Sequence, residues 1–182
     1  MEKKKIILPI FIIAVMVFST FGIIFSSYSN NSESFKYKNY RFTYDGQSWS
    51  TFKNNQRIEF LTDPRELDTL TIGDIINKLI NHNKIYITID YNQNLAVEQQ
   101  FFKAILNQLF QKPIIYACTK EHEKCQDLPI KECQDPTPNQ TLIINLQSGN
   151  NTINERESCI IIEGDRDYFI KVLEKIKLEM LL

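Results

Sequence analysis

Glycine is scarce in this 182-residue chain. There are five, and Gly22 falls inside a hydrophobic run. No two of the other four stand close enough to build a loop that cradles a phosphate, so the usual nucleotide-binding signatures are missing. Cys-x-x-Cys is absent, which removes a thioredoxin-type redox site. Gly-x-Ser-x-Gly is absent too, and neither of the two histidines has a Ser or Cys at nucleophile spacing. A net charge of −1 gives no basic excess for nucleic acid or acidic lipid. No cofactor is implied. What is plentiful is aromatic and aliphatic side chain, enough for a real core, and the length fits one domain plus a tail.

The longest uncharged stretch dominates the N-terminus. Lys3, Lys4 and Lys5 precede Ile6 to Phe25, and no charge returns until Glu33. A helix of that length rises about 30 Å, the thickness of the hydrocarbon core, and only a helix satisfies its own backbone there. Pro9 falls near the start, where a missing N–H costs little. A run apolar on every face does not suit a core helix. A cleaved signal peptide is the main rival, but its apolar stretch is usually about 7–15 residues, and Ser26 to Ser29 is a weak cleavage pattern. The expected organisation is a cytoplasmic tail (1–5), a transmembrane helix (6–25) in contact with the bilayer, a linker (26–36) and an extracytoplasmic domain (37–182). The lysines before the span set that orientation, partly offset by Lys36, Lys38 and Arg41 after it.

Within the domain the patterns alternate between periods of two and 3.6. Tyr40–Tyr44 and Ser48–Phe52 flank Asp45-Gly46, a type I′ hairpin signal, and Arg57–Leu61 is a further strand stopped by Asp63-Pro64. Ile72, Ile75, Ile76, Leu79 and Ile80 predict an amphipathic helix, Ile85–Ile89 a strand, and Leu95–Phe110 a second helix. Strands follow at Ile114–Cys118, Leu142–Leu146 and Cys159–Ile162, with a polar loop over 119–140 and a last helix carrying Phe169, Val172, Leu173, Ile176 and Met180. The order β-β-β-α-β-α-β-loop-β-β-α predicts an α/β fold. It is of three-layer type, with a mostly parallel sheet, an N-terminal β-hairpin and a C-terminal helix.

The cysteines are the most informative polar set: Cys118, Cys125, Cys133 and Cys159. In an exported domain two disulfides are the default, with three possible pairings. The favoured one clips Cys125 to Cys133 within the loop and leaves Cys118 for Cys159. The rival is structural zinc on Cys118, His122, Cys125 and Cys133, although the spacing matches no standard finger or ribbon. Sequons at Asn30, Asn139 and Asn150 also suit export, weakly, because Asn is abundant. His82 and His122 read as a helix-end and a loop histidine in solvent. Asp63, Asp90, Glu163 and Asp165 stand where strands are expected to end, the place where parallel sheets gather ligands. Each is equally suited to a turn or a helix cap.

The lysine-flanked span and the aromatic hairpin of Tyr40 to Phe52 are followed by Phe60 to Leu67 (Phe-Leu-Thr-Asp-Pro-Arg-Glu-Leu). Later come Ala117-Cys118, Cys125 with Leu128-Pro129, Cys133, and Cys159 to Gly164 before a final helix. This layout resembles uncharacterised single-span, membrane-anchored proteins of small-genome (DPANN-type) archaea over nearly the whole chain. The resemblance implies an exported domain with paired cysteines and transfers no site residues. The function expected is a non-enzymatic one at the cell surface, through contacts with an envelope protein. The alternatives are a tethered hydrolase or metal-dependent enzyme using strand-end acids such as Asp90 and Glu163, and a cytoplasmic-facing domain with the Cys3His zinc.

Overall fold

The computed structural model describes Met16, residues 33–134 and residues 140–181. The expected tail and, apart from Met16, the expected span over 6–25 lie outside them. No helix among the described residues is long and apolar enough to cross a membrane.

The chain forms two sheets. The first is an antiparallel meander of β1 (Ser34–Tyr37), β2 (Tyr40–Tyr44), β3 (Trp49–Lys53) and β4 (Gln56–Phe60). β2, β3 and β4 are the strands expected here; β1 is a fourth, and it occupies part of the stretch expected as linker. The turn chemistry also differs. Asp45 to Ser48 is a four-residue loop, held by the Asp45 carboxylate accepting the N–H groups of Gln47 and Ser48 at 3.1 and 2.9 Å. Two-residue turns lie instead at Lys38-Asn39 and at Asn54-Asn55, the latter with positive φ at both residues (51° and 64°), a conformation that Asn tolerates and that matches the twist of a hairpin.

The second sheet has strand order β6-β5-β7-β9-β8, from β5 (Lys84–Ile89), β6 (Ile114–Cys118), β7 (Thr141–Gln147), β8 (Thr152–Arg156) and β9 (Cys159–Glu163). β6, β5, β7 and β9 run parallel and β8 is an antiparallel edge. β8 is a strand beyond those expected, because its alternation of Thr, Asn and Arg with Ile and Glu offers only Ile153 to the core. Among the described residues there is one strand–helix–strand crossover where two were expected. β4 belongs to the meander, so the helix after it links two sheets and does not return to one.

Three helices cover a single face of this sheet: α1 (Ile75–Asn81), α2 (Ala96–Leu109) and α3 (Arg166–Leu181). Alternate strand residues Ile85, Ile87, Ile89, Leu142, Ile144, Leu146, Ile160 and Ile162 meet Leu79, Phe102, Leu106, Phe169, Val172 and Ile176 in one continuous core. α1 starts later than its apolar spacing suggests, because Gly73 adopts φ +54° and interrupts the helix; Ile72 enters the core from the preceding loop. The α1 C-terminus is closed by Lys112, whose ammonium donates to the carbonyls of Leu79, Ile80 and His82.

The meander packs on the far side of α3 through a second core of Phe42, Trp49, Phe60, Leu67, Leu178 and Leu181. Polar contacts complete this joint. Lys53 and Tyr40 donate to carbonyls in the last turn of α3. The buried Glu174 carboxylate accepts the backbone N–H groups of Leu61 and Thr62 just beyond β4.

Candidate functional site

The connection from β5 to β6 and that from β6 to β7 move in opposite directions across the sheet, since β6 and β7 flank β5 on either side. A right-handed crossover must pass over one face in the first case and over the other in the second. α2 takes the first route, and the described part of the connection after β6, residues 119–134, lies over the second, the face free of helices. Between β5 and β7 lies the topological switch point, where the carboxyl ends of parallel strands leave a crevice.

The cysteines hold that loop. Cys118 pairs with Cys125 and Cys133 with Cys159, with Cα separations of 6.2 and 5.5 Å. This corrects the expected pairing. Cys118 and Cys159 sit on β6 and β9, three strand spacings apart, or about 14 Å at about 4.8 Å each, well past the reach of a disulfide. A one-turn 3-10 segment, Glu123–Cys125, folds Cys125 back toward Cys118 instead. The chain then returns beside the end of β6, Cys118 N–H donating to Pro129 and Lys131 N–H to Cys118. With all four cysteines paired, the Cys3His zinc set loses its thiolates. His122 stacks on Tyr91 at 5.6 Å, and its Nδ1 accepts the Lys124 N–H.

Under the loop, at the switch point, is a cavity of about 250 Å³. Asp90 and Gln93 border it from the end of β5, Thr119 and Lys120 from the end of β6. The floor is β7, through Asn145 and Gln147. Glu132 and Cys133 close it from the loop, and Arg156 and Ile161 from the far strands. Asn145 is only 6 % exposed, and its Oδ1 has no hydrogen-bond partner among the described residues. Its register partner Thr88 has an unpaired Oγ1 as well. Leaving such an atom unpaired when buried costs about 1–3 kcal/mol.

The four acids predicted at strand ends do not converge. Asp90 alone borders the cavity. Its carboxylate accepts the Asn92 N–H at 3.0 Å and the Lys120 ammonium at 3.2 Å. The Asn92 bond foremost, and Lys120 after it, hold its pKa below the ordinary carboxylate value against the opposing effect of burial. Asp63 belongs to the meander side, chelated by Arg65 at 3.0 Å, which lowers its pKa. Asp165 caps α3 by accepting the Tyr168 N–H at 2.8 Å. Glu163 is half-buried against Gly149, where any side chain would collide with it. Among the described residues no three His, Cys, Asp or Glu side chains are grouped to hold a metal ion. Of the sequons, Asn150 is exposed in the β7–β8 turn, while Asn30 and Asn139 lie outside the described residues.

Sequence reasoning passed over Asn145. The signal was there: one amide interrupting Leu142-Ile143-Ile144-Asn145-Leu146, a strand otherwise apolar on both faces. Comparison with protein-family models, with curated proteins and with solved structures found no match for this chain.

Proposed function

We propose that the chain is a single-pass envelope protein whose α/β domain lies outside the membrane and works by binding, not by catalysis. The observation that carries this reading is the cysteine pairing. Both pairs fasten one loop to the large sheet, one at the end of β6 and the other at the start of β9, and such bonds persist in oxidising compartments. The run over 6–25 with its preceding lysines supports a retained anchor and this orientation. The exposed sequon at Asn150 and the resemblance to anchored archaeal proteins support the same side. β1 begins at Ser34, so the tether between anchor and domain is short, and the domain works close to the bilayer beside other envelope proteins.

Binding is favoured over hydrolysis because Asp63, Asp90 and Asp165 are committed to turns, ion pairs or a helix cap. A hydrolase using Asp90 and Glu163 is the second reading, favoured only by the place of Asp90 at the cavity; Glu163 does not border it.

The test is protease treatment of intact cells that express the full chain. The reading expects the domain to be digested from outside, leaving a short N-terminal fragment in the membrane pellet. A domain protected until the cells are lysed overturns it.

A further inference from the structure

We infer that the cavity at the β5–β7 switch point binds a small zwitterion of the free α-amino acid class. This rests on the binding-module reading for its role, but not for its geometry.

At about 250 Å³ the cavity falls below the range of about 300–1,000 Å³ usual for drug-sized ligands, so its ligand is small. Among the described residues most of the lining side chains are polar, and none is an aromatic ring on which a sugar would stack. Its charges are balanced, Asp90 and Glu132 against Lys120 and Arg156, which disfavours a ligand of high net charge.

The charges are also arranged in space. Asp90 lies at the end of β5 and Arg156 on β8, about 14 Å apart across three strand spacings and about 13 Å apart along the strands, before the long arginine side chain reaches back. Arg156 and Cys159 are register partners, and the Cys133–Cys159 bond fixes the loop next to them. Lys120 is occupied by Asp90, whereas Arg156 forms no ion pair among the described residues. Arg156 is therefore the carboxylate receptor, through the bidentate geometry its guanidinium favours. On the floor, Asn145 Oδ1 is a buried acceptor in need of a donor. A ligand ammonium supplies that donor, and the carboxylates of Asp90 and Glu132 border the same cavity. Gln93 and Gln147 remain to recognise a polar side chain. Gln93 is held in place by its own Oε1, which accepts the Ser148 N–H at 2.9 Å.

The experiment is thermal unfolding and calorimetric titration of the full chain in detergent. The probes are glycine, L-serine, L-asparagine and L-glutamine, with the N-acetyl and C-amide derivative of each. At least one free amino acid is expected to raise the Tm at millimolar concentration, and blocking either end is expected to weaken it at least about tenfold. Arg156→Gln, an exposed change that leaves the core intact, is expected to weaken the free amino acid about tenfold or more while affecting its C-amide little. Asn145→Leu is expected to abolish the response while raising the Tm without ligand. No response from any of the four probes overturns the inference, as does equal binding of a blocked form or unchanged affinity in Arg156→Gln. None of these outcomes bears on the side of the membrane. A domain found in the cytoplasm would overturn the envelope reading and leave the cavity chemistry standing.

Discussion

Thr88 on β5 and Asn145 on β7 are neighbours in a parallel ladder, and each buries one polar side-chain atom without a partner among the described residues. Two such atoms side by side in the middle of a sheet are a local cost. Only Asn145 borders the cavity, so the two should respond differently to substitution. Thr88→Val keeps the shape and removes the unpaired hydroxyl. It is expected to raise stability by about 1 kcal/mol in urea unfolding, with the slope of the transition unchanged. A loss of similar size would mean that the Thr88 hydroxyl is satisfied.

Peptide mapping under non-reducing conditions should recover Cys118 linked to Cys125 and Cys133 linked to Cys159. The separations are 7 and 26 residues. On the chain-entropy account, removing the longer link costs about 3.5 kcal/mol and removing the shorter about 2.5 kcal/mol. Cys133→Ser/Cys159→Ser is therefore expected to destabilise more than Cys118→Ser/Cys125→Ser. A Cys125–Cys133 peptide would refute the pairing.

Acid should weaken the fold through Asp63 and Asp90. Both have folded pKa values below the ordinary carboxylate range, Asp63 through Arg65 and Asp90 through the Asn92 N–H and then Lys120. The unfolded chain takes up a proton near pH 3.9 while the folded chain resists it. Their stabilisation is thus complete above about pH 5 and disappears as pH falls through the lower folded values. The two side chains are 16 % and 15 % exposed, so water screens each ion pair in part. Asp63→Asn/Asp90→Asn should flatten the stability profile between about pH 4 and pH 2. An unchanged slope would show that other carboxylates govern acid unfolding.

Glu174 joins the meander to α3. With the carboxylate buried and accepting two backbone N–H groups, Glu174→Ala leaves both donors orphaned and should cost about 2–4 kcal/mol. Glu174→Gln keeps one good acceptor and should cost less. Chemical denaturation followed by the fluorescence of Trp49, which sits in the core on that side of α3, reads the effect directly.

Periodicity made the large sheet legible. Alternating isoleucines in β5 and the apolar stripes of α2 and α3 predict their own partners, because burial on a face is written at a spacing of two or of 3.6 residues. Three features were not legible for physical reasons. β8 is an edge strand that buries little, so its sequence looks like a turn. The meander around α3 depends on long-range packing of Phe42, Trp49 and Phe60 against Leu178 and Leu181, which local pattern does not encode. The cysteine pairing depends on strand order, and order separated Cys118 from Cys159 by the width of β5 and β7. Asp90, Glu163 and Asp165 fall at or just past the ends of β5 and β9, whereas Asp63 lies beyond β4 of the meander. What sequence could not supply was which of them share a cavity, and the decisive residue there, Asn145, looked like a blemish in an apolar strand.

The central claim is that an oxidised, cysteine-clamped domain faces out of the cell. It is tested most directly by labelling intact cells that express the full chain with a membrane-impermeant maleimide, with and without prior reduction. The account predicts no labelling before reduction and modification of all four cysteines after reduction and unfolding, without lysis. Thiols that react without any reductant, and only once the membrane is broken, would contradict it.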